Sequence, residues 1–135
     1  MAARRVSEIE FEGWLERYRQ AWENRDPEAA AALFSPDAEY YETPFVAPAR
    51  GREGVREYWA NATRNQSDVS FSYETVSIID DRGVARWWAT FTRVPSGAKA
   101  TLDGVFFLKF NSDGLCRELR EWWHGVETKT QLDPR

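Results

Sequence analysis

The chain has one cysteine and one histidine among 135 residues. Cys116 has no second cysteine to pair with, which favours a reducing, cytoplasmic location. One His and one Cys cannot supply the usual zinc ligand sets, so no metal is expected. No run of lysine and arginine marks a nucleic-acid footprint or a basic membrane-binding face, and the net charge is −4. No apolar stretch is long enough to span a bilayer. Arg4-Arg5 is not followed by an apolar segment, so no targeting segment is expected. A phosphate-binding glycine loop is missing as well. Gly51 and Gly54 only permit a turn around Arg52-Glu53, and no cofactor is called for.

What the chain does have is aromatic residues: seven Trp, five Tyr and eight Phe. With 42% apolar and 30% charged residues it reads as one globular domain over 1–135. An ordered core over about 7–125 and a polar tail over 126–135 are expected. The segment 36–59, PDAEYYETPFVAPARGREGVREYW, carries most of the information. It reads as a strand bearing one acid, Glu42, then a proline- and glycine-punctuated loop, then an amphipathic helix.

Ser7 with Glu10 forms a capping box. Phe11, Trp14, Leu15, Tyr18 and Trp22 follow at helical spacing, so a first helix runs to about Asn24. Asp26-Pro27 starts a short second helix that reaches Ser35-Pro36. A strand is expected over 38–43 and a third helix after Gly51, burying Val55, Tyr58, Trp59 and Ala62. Four longer strands follow, over 69–80, 84–94, 100–110 and 115–124. Asp80-Asp81-Arg82-Gly83, Pro95-Ser96-Gly97 and Asn111-Ser112-Asp113-Gly114 separate them as hairpin turns. Helices first and an antiparallel meander afterwards predict an α+β fold.

Strand parity assigns the faces. Tyr40 and Glu42 point inward on the first strand. Ala85, Trp87, Ala89 and Phe91 do so later, as do Leu102, Gly104, Phe106 and Leu108, and then Leu119, Glu121 and Trp123. Cys116, Glu118, Arg120, Trp122 and His124 are expected on the outer face. That face also carries Trp88, Val105 and Phe107, too apolar for a solvated sheet. A second copy of the chain is the simplest partner for it.

This arrangement resembles the nuclear transport factor 2-like superfamily, in its SnoaL-like and ketosteroid-isomerase-like branch. The likeness rests on Glu16–Tyr18, Pro36–Trp59, Leu102–Phe110 and the REWWH segment Arg120–His124. It implies a cone-shaped, curved sheet wrapped around three helices, with a deep apolar pocket and a homodimer formed through the open sheet. In the isomerases a helix tyrosine polarises the substrate oxygen, and Tyr18 matches it. Their base is an acid on the first strand before a Pro/Gly loop, and Glu42 falls there. Their second oxyanion donor is a protonated acid, and Phe106 occupies that position here. The Asp-Arg-Asp set of the epoxide hydrolases is absent.

An acid in an apolar cavity has its charged form disfavoured, which suits a carboxylate to taking a proton beside a carbonyl. Glu121 faces the same interior, and two carboxyls sharing a cavity titrate apart. The expectation is a small apolar ligand and a cofactor-independent isomerase, cyclase or dehydratase. Glu42 would be the base, Tyr18 the donor and Glu121 a second acid. Candidate ligand contacts are Trp14, Tyr40, Tyr58 and Trp59, with Trp87, Phe91, Phe106 and Trp123. The rival expectation is ion pairing of Glu42 with Arg50 or Arg52, and of Glu121 with Arg17. The pocket would then bind without turnover, or the sheet face alone would be the functional surface.

Overall fold

The N-terminal cap forms as the sequence predicts. The Glu10 backbone N–H donates to the Ser7 hydroxyl at 3.1 Å, and the Ser7 N–H donates to the Glu10 carboxylate at 3.1 Å. The structure is a computed structural model that describes residues 5–128. Arg4 and residues 129–135 lie outside the described residues.

Helix α1 (Glu8–Glu23) buries Phe11, Trp14, Leu15, Tyr18 and Trp22, the expected stripe. Asp26 caps α2 (Pro27–Ala31) by accepting from the Ala29 N–H. This helix stops earlier than its alanines predict. Phe34 and Ser35 already belong to β1 (Phe34–Tyr41), where Phe34 pairs with Cys116. Ser35 precedes Pro36, whose ring disfavours a helical conformation in the residue before it. The strand also ends sooner than expected, so Glu42 stands just beyond it at the start of the loop.

Strand β2 (Ala49–Arg50) folds back on β1, and α3 (Gly51–Thr63) follows at once. Val55, Trp59 and Thr63 are the fully buried residues of α3, with Tyr58 and Ala62 packed half-buried beside them. Then come β3 (Gln66–Ile79), β4 (Arg82–Arg93), β5 (Lys99–Phe110) and β6 (Cys116–Thr128). These four form the expected antiparallel meander, and β1 joins β6 in parallel. The result is one mixed six-stranded sheet in the order β2-β1-β6-β5-β4-β3. The fold is α+β, with a curved sheet around three helices. Strand β6 continues through Val126–Thr128, where the sequence reads as tail, because its backbone pairs with Lys99–Thr101 whatever the side chains are.

Alternation places the core where parity puts it on β4 and β5. Ala85, Trp87, Ala89, Phe91, Phe106 and Leu108 are buried. Phe71, Trp87 and Phe106 stack across three strands, with centroids 5.8 Å and 5.3 Å from the Trp87 ring. A Cβ at Gly83 would fall 2.1 Å from the Phe11 ring, so glycine there lets α1 seat that ring on the β4 backbone.

Cys116 is a correction. It is fully buried, not outward. Phe110 pairs with Cys116 while Lys109 pairs with Glu118, so Arg117 is an extra residue in β6. That bulge flips the parity at one residue and leaves Glu118 to His124 as expected. On the outer face Phe107 and Trp122 meet edge to face at 5.5 Å, each 49% exposed.

Candidate functional site

A cavity of about 200 Å³ lies between the helices and the inner face of the sheet. Tyr18 and Trp22 reach it from α1, and Tyr58 and Trp59 from α3. The sheet supplies Tyr40, Trp87, Phe91, Leu102, Glu121 and Trp123, and Glu42 reaches in from the loop. Tyr18, Tyr40 and Glu121 are all buried, at 2%, 1% and 5% exposure. Glu42 and Tyr58 are half-buried and Trp123 is partly exposed, so they stand on the solvent side.

The deep end is a polar chain set among rings. The Tyr18 and Tyr40 hydroxyls are 3.1 Å apart, and Tyr40 donates onward to Glu121 Oε2 at 3.3 Å. Among the described residues no cation pairs with Glu121. Burial is the main cause that pushes its carboxyl well above the usual range, with the Glu42 charge adding to it and the Tyr40 hydrogen bond opposing. Tyr18 and Tyr40 are also pushed well up, by burial first and the Glu121 charge second. The hydroxyls therefore stay protonated and can donate.

Glu42 accepts from Trp123 Nε1 at 3.0 Å. Its expected arginine partners are engaged elsewhere. Arg50 pairs with Glu39, and Arg52 donates to the Phe34 carbonyl at 2.8 Å. Two carboxyls without a cationic partner among the described residues thus face one aromatic cavity.

The aromatic candidates divide. Tyr40, Tyr58, Trp59, Trp87, Phe91 and Trp123 line the cavity. Trp14 and Phe106 do not reach it. Trp14 donates from Nε1 to the Leu33 carbonyl at 2.9 Å, deep in the core, and Phe106 lies beneath Tyr18 and Trp87. The sequence reading missed Trp22, Ala62, Gln66, Leu102 and Arg93 as lining residues. Trp22 follows Tyr18 by one helical turn, and Arg93 continues the inward parity of Phe91. Those two signals were available. Gln66 is placed by a contact across 44 residues, accepting from Trp22 Nε1 at 2.8 Å.

A wider depression of about 940 Å³ lies on the outer face, around Phe107, Trp122 and the Lys109–Glu118–Arg120 cluster. Its acid Glu118 is paired with two cations, so it offers no free carboxylate. Among the described residues no cluster of His, Cys, Asp and Glu could hold a metal, and no helix is long and apolar enough to cross a membrane.

The SnoaL-like domain family model matches residues 15–119, from the middle of α1 to the start of β6; Glu42 lies within the match and Glu121 just beyond it. The chain belongs to the SnoaL-like family. No curated protein matches it in sequence. Solved structures of low identity share its fold. SalBIII, an epoxide hydrolase/cyclase-like enzyme described in pyran ring formation in polyether salinomycin, has TM-score 0.76 at 16% identity, covering 88% of this chain and 94% of its own. A computationally designed 17-OHP binder has TM-score 0.75 at 19% identity, covering 88% and 97%. A protein of ketosteroid isomerase-like fold from Catenulispora acidiphila, in complex with trimethylamine, has TM-score 0.72 at 14% identity, covering 81% and 83%. These likenesses show that the SnoaL-like chain shares the ketosteroid isomerase-like fold.

Proposed function

We propose that this SnoaL-like protein is a cofactor-independent isomerase, cyclase or dehydratase acting on a small carbonyl compound. Glu42 takes a proton from the carbon next to the carbonyl. The C–H electron pair moves into an enolate, whose oxygen accepts from the protonated Glu121, itself held by the Tyr40 hydroxyl. In a β,γ-unsaturated ketone, return of the proton from Glu42 to the γ-carbon completes an isomerisation; in a β-hydroxy ketone the C–O bond breaks and the same proton passes from Glu42 to the leaving hydroxyl, which departs as water. Tyr18 holds the Tyr40 hydroxyl in place at the deep end. The observation that supports this reading is the pair of carboxyls with no cationic partner, at opposite depths of one cavity. A buried carboxyl kept neutral is a hydrogen-bond donor, while a more solvated one serves as base.

The test is hydrogen exchange at the carbon beside the carbonyl, with acetophenone bearing a methyl ketone in deuterated buffer. The protein should accelerate exchange, and Glu42→Gln should remove about 10²-fold or more of that acceleration. Equal exchange in parent and variant would leave a binding cavity without this base.

A homodimer through the outer sheet face belongs to the same proposal. Phe107 and Trp122 support it, since two half-exposed rings in contact on one sheet face are unusual for a free surface. A cytoplasmic location is in keeping with the unpaired, fully buried Cys116, whose thiol burial pushes far above its usual range.

A further inference from the structure

Gln66 opens β3 and Arg93 closes β4, and the two stand directly opposite each other in the cavity wall. Trp22 Nε1 donates to the Gln66 side chain at 2.8 Å. An indole nitrogen only donates, so the carboxamide oxygen must face it and the amide nitrogen is left over as a donor. Gln66 is 6% exposed, yet that nitrogen has no acceptor among the described residues. It is not sealed in either, since the unpaired side-chain nitrogens without access are those of Trp59 and Trp87.

Arg93 adds a cation. Among the described residues it is the one Lys or Arg that lines this cavity. Its Cζ stands 5.0 Å from the centre of the Phe91 ring, a buried part of the same wall, so the guanidinium lies against that wall. Glu127 accepts from Arg93 Nε at 2.9 Å. The two side chains are 41% and 47% exposed, and an ion pair open to water in this way is weak. The two terminal nitrogens of Arg93 have no acceptor among the described residues.

The cavity is thus divided by chemistry. Its carboxyls, Glu42 and Glu121, stand just beyond β1 and on β6, whereas Gln66 and Arg93 stand on β3 and β4 across the sheet. Trp22 lies between the two ends. Its ring centre is 6.3 Å from that of Tyr18, which belongs to the Tyr40–Glu121 chain, while its nitrogen holds Gln66. The far end therefore offers an amide N–H and guanidinium N–H groups beside aromatic rings. A carboxylate accepts from both, and the planar fork of an arginine suits its two oxygens.

We infer that the Gln66–Arg93 end of the cavity holds a carboxylate of the ligand, whose apolar body lies along Trp22 and Phe91. The carboxylate assignment stands on Gln66 and Arg93. That the same ligand is an oxo acid, with its carbonyl at Glu121, rests on the proposed function above.

The experiment compares acids with their amides. 3-Phenylpropanoate, 5-phenylpentanoate and 7-phenylheptanoate are titrated into the parent protein beside the corresponding primary amides. At low salt at least one acid should bind about three- to tenfold more tightly than its amide. That preference should shrink at high salt. The same acid should shift the Gln66 side-chain amide signals in proton–nitrogen correlation spectra. Gln66→Glu keeps an oxygen for Trp22 but replaces the donor with a carboxylate, and Arg93→Gln removes the charge. Either change should abolish the preference, with near-ultraviolet circular dichroism reporting that the indoles stay packed. Equal affinity of every acid and its amide in the parent, which needs no variant, overturns the inference. So does a preference that survives both variants. A preference that appears only in Glu127→Gln would show Arg93 closed off by its own partner, and overturns it as well. Acetophenone carries no carboxylate, so its exchange reads the carbonyl site alone. Loss of that exchange with the acid preference kept leaves the carboxylate end standing, and the reverse removes only the carboxylate end.

Discussion

Glu121 stands directly opposite Phe106 across the β5–β6 pair, and both are buried. The resemblance to the steroid isomerases implies a protonated acid at the place of Phe106, so the sequence alone reads as having lost that donor. Directly opposite residues place their Cβ atoms about 5 Å apart on one face. The acid is present one strand over, with Tyr40 already bonded to it.

Glu121→Gln tests what that buried carboxyl costs. Its folded-state value is raised above the unfolded value, so the folded protein holds the proton more tightly. The sign follows: stability falls as pH rises from the unfolded value toward the folded one. Each unit of upward displacement costs about 1.4 kcal/mol once the unfolded chain is ionised. The variant should be more stable than the parent at neutral pH in urea unfolding, with the gap closing toward pH 4. A less stable variant at neutral pH would mean that the carboxylate has a partner the geometry does not provide.

Tyr40→Phe removes the hydroxyl between Tyr18 and Glu121. A loss of about 1–2 kcal/mol is expected from the orphaned Tyr18 hydroxyl. The Tyr40 hydrogen bond holds the Glu121 value down, so the Glu121 titration should move further up in the variant. A downward move would contradict the direction of that bond.

Gly104→Ala should disturb the cavity without adding any polar group. The new methyl meets the Trp87 indole at 2.6 Å, and overpacking of this kind costs about 1–3 kcal/mol. Near-ultraviolet circular dichroism should change with the displaced ring. An unchanged spectrum and stability would show that Trp87 does not lie on β5 at that point.

Trp122→Glu addresses the outer face. The parent should be dimeric by light scattering and the variant monomeric, with the far-ultraviolet spectrum retained. A variant that stays dimeric would place the interface elsewhere.

The sequence carried the fold through local signals. The Ser7–Glu10 box, the Asp26-Pro27 start, the hairpin turns and the alternation of β4 and β5 depend on neighbouring residues, and each formed. What it did not carry depends on pairing at a distance. Arg117 becomes a bulge only because Phe110 takes Cys116 as partner, so no local pattern announces the flip of Cys116. Phe34 looks like the end of a helix until β6 arrives beside it. At the site, Glu42 and Glu121 were legible from parity and the Pro/Gly loop. The missing arginine partners were not, because Arg50 and Arg52 find Glu39 and the Phe34 carbonyl through the fold of the loop. Trp14 reads as a cavity residue on the helix stripe, yet its N–H is committed to Leu33 on the far side of the core.

Glu121 is held as a neutral acid at neutral pH by its burial in the cavity. Carbon-13 titration of the glutamate side-chain carboxyls, with Glu121→Gln and Glu42→Gln for assignment, reads this directly. The expected result is a Glu121 signal that remains that of a neutral acid through neutral pH. A Glu121 signal that titrates in the ordinary carboxylate range would contradict it.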